Sequence, residues 1–409
     1  MSIFRDVPPT AGLALSTREL TAAYRNRHSG DLLVQDFQNH LGASFAAITC
    51  SGTTALYLIC EALKDLSPKK TILVPSFICP LVARALRRAG YFLALYDTGP
   101  RDFNGDAAQV KAACAANPDI AAILVNHLAG IPCDMARFET TVKTCGLFVI
   151  EDCAQSFGAL YKGKMVGTLG DFSFFSLAAG KGLTLYEGGV LVAKHGKHAA
   201  LINAAMHRLV HPAFFLEARR VFELLGYGLF YRPQLFWFVF TLPQLFWSRL
   251  GNEVKALRED FDSDFPVHAV SGFRKAAGHI AFPRIASAQR SQREKAACYI
   301  EGLKNLSGIT VIQESAGDTA TYPYVAVAFD DPSRQKAALK QFSNTGLGVS
   351  QIYAHALPDY DYLRGNVPEE NCEKARRLAE TTITLSTSAF LGKNDIEKCI
   401  QILHRVCGA

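Results

Sequence analysis

Along residues 37–192, stretches with a helical pattern of hydrophobic and polar positions alternate with short apolar runs, which predicts strands separated by helices. The short apolar runs are TILVPSF, YFLALYD, AAILVNH, LFVIED, DFSFFSL and GGVLVAK. Alternation of this kind is typical of an α/β fold with a mostly parallel sheet sandwiched by helices. Ligands of such sheets bind at the carboxyl ends of the strands. Those ends carry His127, Glu151, Asp152 and Ser176.

The pattern changes after this region. From about Pro266, long polar helical stretches and strands such as YPYVAVAF predict a smaller α+β domain. Between the two lies an apolar insert, in which ten of the 27 residues from Val221 to Trp247 are aromatic. We therefore predict three parts: an N-terminal segment and large domain (1–206), the insert with its helical connection (207–265), and a small C-terminal domain (266–409).

The insert admits two interpretations. Its aromatic residues, with arginines punctuating and flanking the run, suit a segment lying in a membrane interface, so peripheral membrane contact through residues 221–247 is one hypothesis. Burial against the large domain or in a dimer interface is the other. Pro233 and Pro243 break the run into pieces too short to span a bilayer.

Composition narrows the class of protein. The chain has 409 residues, is 49% hydrophobic and has a formal net charge of +6, a modest excess that does not indicate nucleic-acid binding. Its eleven cysteines are scattered and form no CxxC pair, which favours reduced thiols over a disulfide framework or a zinc site. The N-terminus lacks the apolar core of a secretory signal. We therefore expect a cytoplasmic protein.

The first candidate motif is SGTTAL, residues 51–56, which follows a strand-like AAITC. A small, hydroxylated turn at a helix start offers backbone N–H groups and hydroxyls to a phosphate group. An ordinary helix cap explains the same residues equally well.

The second motif is EDCAQSFGA, with Asp152 at the end of a buried strand. A carboxylate there is costly unless a cation meets it. A protonated pyridine nitrogen is such a partner, with Gln155 in reach of the ring hydroxyl. A structural salt bridge or a metal ligand is the alternative.

The third motif surrounds Lys181, which lies between two glycines in GDFSFFSLAAGKGLTLYEGG. A lysine kept from water loses its proton more easily, which suits Schiff-base chemistry. Most lone lysines are solvated surface residues, but the apolar neighbours argue against that here.

Together, and in this order, these stretches resemble the DegT/DnrJ/StrS family of sugar aminotransferases, which use pyridoxal 5'-phosphate (PLP). The segment VNHLAGIPCDM and Glu187 in EGG also match that family's pattern. The resemblance runs from about Pro8 onward and implies the fold type I architecture of PLP-dependent transferases, with a homodimer that builds each active site from two subunits.

The resemblance also implies a role for individual residues. Lys181 would hold the cofactor covalently, Asp152 its pyridine nitrogen and Gln155 its ring oxygen, while Gly52, Thr53 and Ser176 would bind its phosphate. Phe77 is the candidate for stacking on the ring, although Cys79 can occupy the usual position instead. His355 in IYAHALPDY would contact substrate, unless this loop histidine is incidental.

Two features depart from the family. The asparagine that usually reaches the partner's phosphate is replaced by Gly272, so that contact is absent or supplied by Ser271 or Arg274. The apolar insert is the second departure.

The activity implied is transfer of an amino group from an amino acid, with glutamate as the expected donor, to a keto sugar. The sugar would be nucleotide-linked, in cell-surface polysaccharide or secondary-metabolite biosynthesis. The alternatives are a membrane-associated enzyme acting on a lipid-linked or other amphiphilic ketone, and a non-catalytic regulatory relative.

Overall fold

The predicted strands form a seven-stranded central sheet. The computed structural model describes residues 5–99, 101–251, 253–257, 259–261, 264–369 and 372–408. Within them the strands are β1 Phe45–Thr49, β2 Thr71–Pro75, β3 Phe92–Tyr96, β4 Ile120–Asn126, β5 Phe148–Asp152, β6 Leu160–Tyr161, β7 Lys164–Met165, β8 Phe172–Ser176, β9 Gly189–Ala193, β10 Ile309–Val311, β11 Tyr324–Phe329 and β12 Thr382–Ser386. The central sheet has the order β1-β9-β8-β5-β4-β2-β3, and all neighbours pair in parallel except β9, which is antiparallel to both β1 and β8.

Helices connect and cover these strands. They are α1 Thr17–Arg25, α2 Leu32–Leu41, α3 Gly52–Leu63, α4 Pro80–Arg88, α5 Ala107–Ala116, α6 Ala136–Cys145, α7 Gly196–Leu209, α8 Phe214–Phe230, α9 Pro233–Phe236, α10 Leu242–Arg249, α11 Glu253–Ala256, α12 Gly272–Ala281, α13 Ile285–Leu303, α14 Pro332–Phe342, α15 Glu373–Thr381 and α16 Lys393–Cys407. A π-helical turn, Trp237–Thr241, joins α9 to α10.

Both faces of the central sheet are buried, which explains the continuous apolar runs in its strands. Successive side chains of a strand point to opposite faces. Accordingly, Ile72 and Val74 of β2 belong to one hydrophobic core, whereas Leu73 between them belongs to another. The predicted α/β class, with a mostly parallel sheet between layers of helix, is confirmed.

The C-terminal part contains the antiparallel sheet β10-β11-β12, which packs against α13 and α14. The N-terminal segment reaches it, because the Val7 N–H donates to the Gly346 carbonyl at 3.0 Å and the Ala11 N–H to the Pro323 carbonyl at 2.8 Å. The three-part domain division stays a prediction. Helix α7 crosses the first predicted boundary, between residues 206 and 207.

The apolar insert folds into α8, α9 and α10. One stripe of α8 and its C-terminal extension is buried, at Leu224, Tyr227 and Tyr231. Other large apolar side chains of the segment are exposed: Phe214, Phe215, Leu216, Phe222, Leu225, Leu229, Phe230, Phe238, Val239, Leu242, Phe246 and Leu250. In the described part of the chain, no helix combines the length and apolar character needed to cross a bilayer. Peripheral membrane contact remains a hypothesis.

Candidate active site

A cavity of about 1000 Å³ opens at the carboxyl ends of β4, β5 and β8 and at the start of α3. It brings together six of the predicted site residues: Gly52, Thr53, Asp152, Gln155, Ser176 and Lys181. A second cavity of about 430 Å³ adjoins it and shares Gln155, Ser176 and Lys181. Gly52 and Lys181, about 130 positions apart in the sequence, therefore meet because the segments that carry them lie at one edge of the sheet.

The turn before α3 is built to hold an anion. Ser51 caps the helix, with its hydroxyl accepting from the Thr54 N–H at 3.0 Å. In the described structure, the N–H groups of Gly52 and Thr53 make no hydrogen bond, since the first turn of a helix lacks intrahelical acceptors. A Cβ on Gly52 would lie 3.4 Å from the Ser176 Cβ, so both residues border the same small space. The cap and the anion site are thus compatible.

Asp152 ends β5 with its carboxylate almost buried. Its Oδ1 accepts from the Ala154 N–H at 2.9 Å. Burial raises the pKa of Asp152 to about 6, although this N–H, Lys181 and His127 oppose the rise. Among the described residues no cation forms an ion pair with Asp152, so the structural salt bridge considered from the sequence is not present there. The Asp152 carboxylate is therefore available to a cationic ligand.

The Gln155 amide is oriented by two donors. Its Oε1 accepts from the Ala129 N–H at 3.0 Å and from the Tyr324 hydroxyl at 2.5 Å. With the oxygen held in this way, the Nε2 donors remain for a ligand in the cavity. Because the amide orientation is set by the protein, Gln155 is preorganised to donate.

Lys181 follows Gly180, which has a φ of 80° that favours glycine. Its carbonyl accepts from the Leu13 N–H at 3.3 Å, so the N-terminal segment braces the lysine turn. Burial lowers the pKa of the Lys181 amine, while Cys79 and Asp152 counteract this in part. A lysine with a lowered pKa more readily supplies a neutral, nucleophilic amine.

His127 and Glu151 form a buried support beneath the site. The Nε2 of His127 lies 3.1 Å from Glu151 Oε2, and its Nδ1 accepts from the Cys133 N–H at 2.9 Å. Glu151 also accepts from three backbone N–H groups, those of Gly167, Leu169 and Gly170. Cys153 lies close enough to complete a three-ligand cluster, but both histidine nitrogens are already engaged. The pair therefore acts as a structural element.

Two predicted site residues lie outside the linings of both cavities. The Phe77 ring is fully buried, 6.3 Å from the Phe103 ring and 5.2 Å from the Tyr353 ring. The alternative position, Cys79, does line the cavities. Phe77 therefore lies in the core beside the cavity, and its stacking on the cofactor ring stays a prediction. His355 packs on Tyr360 at 5.4 Å, so its proposed substrate contact is not formed within this chain's own cavity.

Sequence reasoning missed several lining residues: Pro8, Pro9, Thr10, Asn126, Tyr227, Tyr231, Glu259 and Tyr353. Two of them adjoin residues that were singled out, since Asn126 precedes His127 and Tyr353 lies two before His355. The others come from the N-terminal segment and the insert, whose positions over the site depend on tertiary packing.

Glu259 is the least expected of these residues. Its Oε2 accepts from the Ala354 N–H at 2.9 Å and from the Tyr360 hydroxyl at 2.7 Å, and it lines the smaller cavity together with Lys181. Burial raises the pKa of Glu259 to about 7, because these two hydrogen bonds only partly stabilise its charge.

This pKa predicts a pH-dependent effect of Glu259→Gln. A carboxyl whose pKa is raised on folding favours the folded state when protonated, and that contribution is lost as the pH rises from about 4.5 through about 7. The glutamine oxygen can keep both hydrogen bonds. We therefore expect the variant to match wild type in urea unfolding at low pH and to be more stable at pH 8, by at most about 3 kcal/mol.

The control is Glu301→Gln, whose carboxylate is largely exposed, and which should show no such trend. A stability difference for Glu259→Gln that does not change between pH 4 and pH 8 would contradict the buried, high-pKa assignment.

Position 272, where the resemblance predicts that an asparagine is replaced by glycine, has no room for a side chain. A Cβ at position 272 would lie 2.0 Å from the Arg27 carbonyl oxygen, so only glycine fits where α12 packs against the end of α1. Ser271 caps α12 through the Arg274 N–H. The Arg274 guanidinium is fully buried, with Nε 3.3 Å from Glu217 Oε1 and another nitrogen 2.5 Å from the Glu187 carbonyl. The Arg274 guanidinium therefore makes its polar contacts within its own chain.

We expect Gly272→Ala to lower the free energy of unfolding by about 1–3 kcal/mol, because backbone atoms must move apart. The matched control is Gly196→Ala, at the first residue of α7, where a Cβ meets nothing within 4 Å. That change should be neutral or slightly stabilising. Equal urea midpoints for the two variants would show that the α1–α12 contact is looser than the structure indicates.

Comparison with known proteins assigns the family. The model of the DegT/DnrJ/EryC1/StrS aminotransferase family matches residues 24–211 and 271–404, which is most of the chain. The chain belongs to this family, as its motifs predicted. The unmatched stretch between these two ranges contains the aromatic run of the apolar insert, residues 221–247.

Relatives and solved structures agree with this assignment. GDP-perosamine synthase of Caulobacter vibrioides is 36% identical over 192 residues, which cover 47% of this chain and 50% of that protein. The chain thus aligns with half of this relative's length. The fold is that of DesI, solved with its TDP-sugar product (TM-score 0.76, 21% identity, 99% of this chain and 93% of that one). It is also that of the PMP-form of the putative sugar aminotransferase Spr1654 from Streptococcus pneumoniae (TM-score 0.77, 17% identity, 98% and 99%).

Proposed function

We propose that this protein is a PLP-dependent aminotransferase that moves an amino group from an amino acid, glutamate by preference, to a nucleotide-linked keto sugar. The observation that carries the proposal is the pairing in one cavity of a buried carboxylate without a described cationic partner, Asp152, with a lysine of lowered pKa, Lys181. Family membership and the sugar-acting relatives support the same activity.

The residues present fit the cofactor. Asp152 would hold a cationic pyridine nitrogen, the Gln155 Nε2 would donate to the ring oxygen, and the N–H groups of Gly52 and Thr53 with the Ser176 hydroxyl would bind the phosphate. When bound, PLP supplies an electron sink that weakens the bond between the donor's α-carbon and its hydrogen. Spr1654 is known in a PMP-form, which agrees with cofactor use in this fold.

Within this site Lys181 has two tasks. Its neutral amine would hold the cofactor, and when free of the cofactor the same amine would take the proton from the donor's α-carbon. The water-poor environment that lowers its pKa also strengthens the electrostatic contribution of Asp152. In the second half of the reaction, the Lys181 amine would return a proton to the carbon of the keto sugar that receives the nitrogen.

The test is spectroscopic and follows the two half-reactions separately. Purified protein with PLP should show an absorption band near the visible edge that L-glutamate removes and a keto sugar nucleotide restores. Absence of cofactor binding, or a band that no amino acid changes, would contradict the proposal. The second result would favour the non-catalytic regulatory alternative.

We further propose that the enzyme is a cytoplasmic homodimer. All eleven cysteines are unpaired, which suits a reducing compartment. Because Arg274 is committed to Glu217 and Glu187, a partner subunit would complete the phosphate site with another group. Light scattering tests the assembly, and a fully active monomer would contradict it.

A further inference from the structure

The apolar insert is anchored to the site. Arg220 of α8 pairs with Glu187 beside the lysine turn and, at 2.7 Å, with Glu223. The Tyr231 hydroxyl donates to the Thr10 carbonyl at 2.9 Å and accepts from the Gly12 N–H at 3.0 Å. These contacts join the insert to the segments that hold Lys181, so it is a wall of the same cavity.

This wall presents mainly hydrocarbon. Its aromatic and aliphatic lining residues are Phe222, Tyr227, Phe230, Tyr231, Phe236, Val239 and Phe240. The two tyrosine hydroxyls point into the protein, since that of Tyr227 donates to the Leu13 carbonyl at 3.4 Å. Its charged members, Arg220 and Glu223, pair with each other. The wall therefore offers few groups that would hydrogen-bond the hydroxyls of a sugar.

The wall extends from the lysine turn to the surface of the protein. A Cβ on Gly12 would lie 2.5 Å from the Tyr231 hydroxyl and 2.7 Å from the Gly180 Cα, so the insert meets the chain one residue from Lys181. At the other limit, Phe222 lines the cavity and is nevertheless 75% exposed. The cavity thus continues into the exposed apolar face of α8.

We propose that the acceptor ketone carries a hydrocarbon chain, which lies along this wall while the carbonyl carbon lies at Lys181. This inference rests on the proposed aminotransferase function, and it adds a hydrocarbon chain to the keto-sugar acceptor proposed above. Burying hydroxyls without partners is unfavourable, whereas each CH₂ placed on such a wall strengthens binding by up to about fourfold. The insert is then the part of the site that recognises an amphiphile.

The test uses holoenzyme and hexyl, octyl and decyl β-D-glucosides below their micelle concentrations, with glucose as the chain-free reference. Affinity measured by calorimetry should rise severalfold with each added pair of CH₂ groups. Phe222→Glu, which places a charge at the mouth, should weaken decyl glucoside binding at least tenfold. Its control, Phe215→Glu, lies on the same helix, 86% exposed and outside the cavity lining, and should bind like wild type.

Affinity that is independent of chain length would overturn the proposal. So would equal losses in both variants, because the chain would then adsorb to the outer face of α8. Two further results would overturn it, because each would assign that face of α8 to another occupant. The first is that wild type is a dimer while both variants are monomers. The second is that the protein floats with anionic phospholipid vesicles while its affinity for the glucosides does not depend on chain length. Cofactor binding and its conversion by glutamate are recorded on the same preparation. Their failure would contradict the proposed function while leaving the chain-length result readable.

Discussion

Replacement of Lys181 by alanine is expected to abolish transamination, with turnover at least 10³-fold below wild type. The variant loses both the amine that attaches the cofactor and the base that moves the α-proton, and general acid–base catalysis alone contributes about 10²–10⁴-fold. Asp152, Gln155 and the Ser51–Thr53 turn remain, so PLP should still bind, without a covalent bond. Borohydride reduction followed by mass spectrometry should then show the cofactor's added mass on wild type but not on the variant.

The control is Lys164→Ala, because Lys164 is an exposed lysine on the short strand β7. It should retain both activity and the mass shift. Turnover by Lys181→Ala with an unchanged absorption spectrum would mean that another group holds the cofactor, and the active-site assignment would fail.

The sheet was predictable because its strands are buried on both faces. Each then appears as a short, continuous apolar run ending in polar residues, and AAILVNH and LFVIED correspond closely to β4 and β5. The direction of a strand leaves no such trace. GGVLVAK resembles its neighbours, yet β9 runs antiparallel to both strands that flank it.

Site residues were predictable where a local motif carries them and not where packing alone does. Phe77 and Cys79 lie two residues apart just after β2, and only the three-dimensional structure shows that Cys79 faces the cavity while Phe77 joins the core. Glu259 is one of several acids in REDFDSDF, and nothing local distinguishes it. The insert's aromatic residues were conspicuous, but their contact with the Gly12 and Gly180 turns required tertiary contacts over about 220 residues.

Asp152→Asn is expected to lower turnover by about 10²–10⁴-fold while PLP remains bound. Asparagine can keep the hydrogen bond from the Ala154 N–H, so the shape of the site is retained. What it loses is the negative charge that keeps the pyridine nitrogen protonated, and without that charge the ring withdraws electrons less strongly. Single-turnover absorbance changes with L-glutamate measure this step directly.

A stability measurement separates this role from a structural one. In protein freed of PLP, burial raises the pKa of Asp152 from 3.8 to about 6. The folded state therefore loses stability as the pH rises through that window, and Asp152→Asn should be more stable than wild type at pH 8, by about 2–3 kcal/mol. Saturating PLP should reverse the order, because the cationic ring stabilises the carboxylate. A structural aspartate would instead make the variant less stable with and without PLP, and that result would refute the assignment of Asp152 to the cofactor.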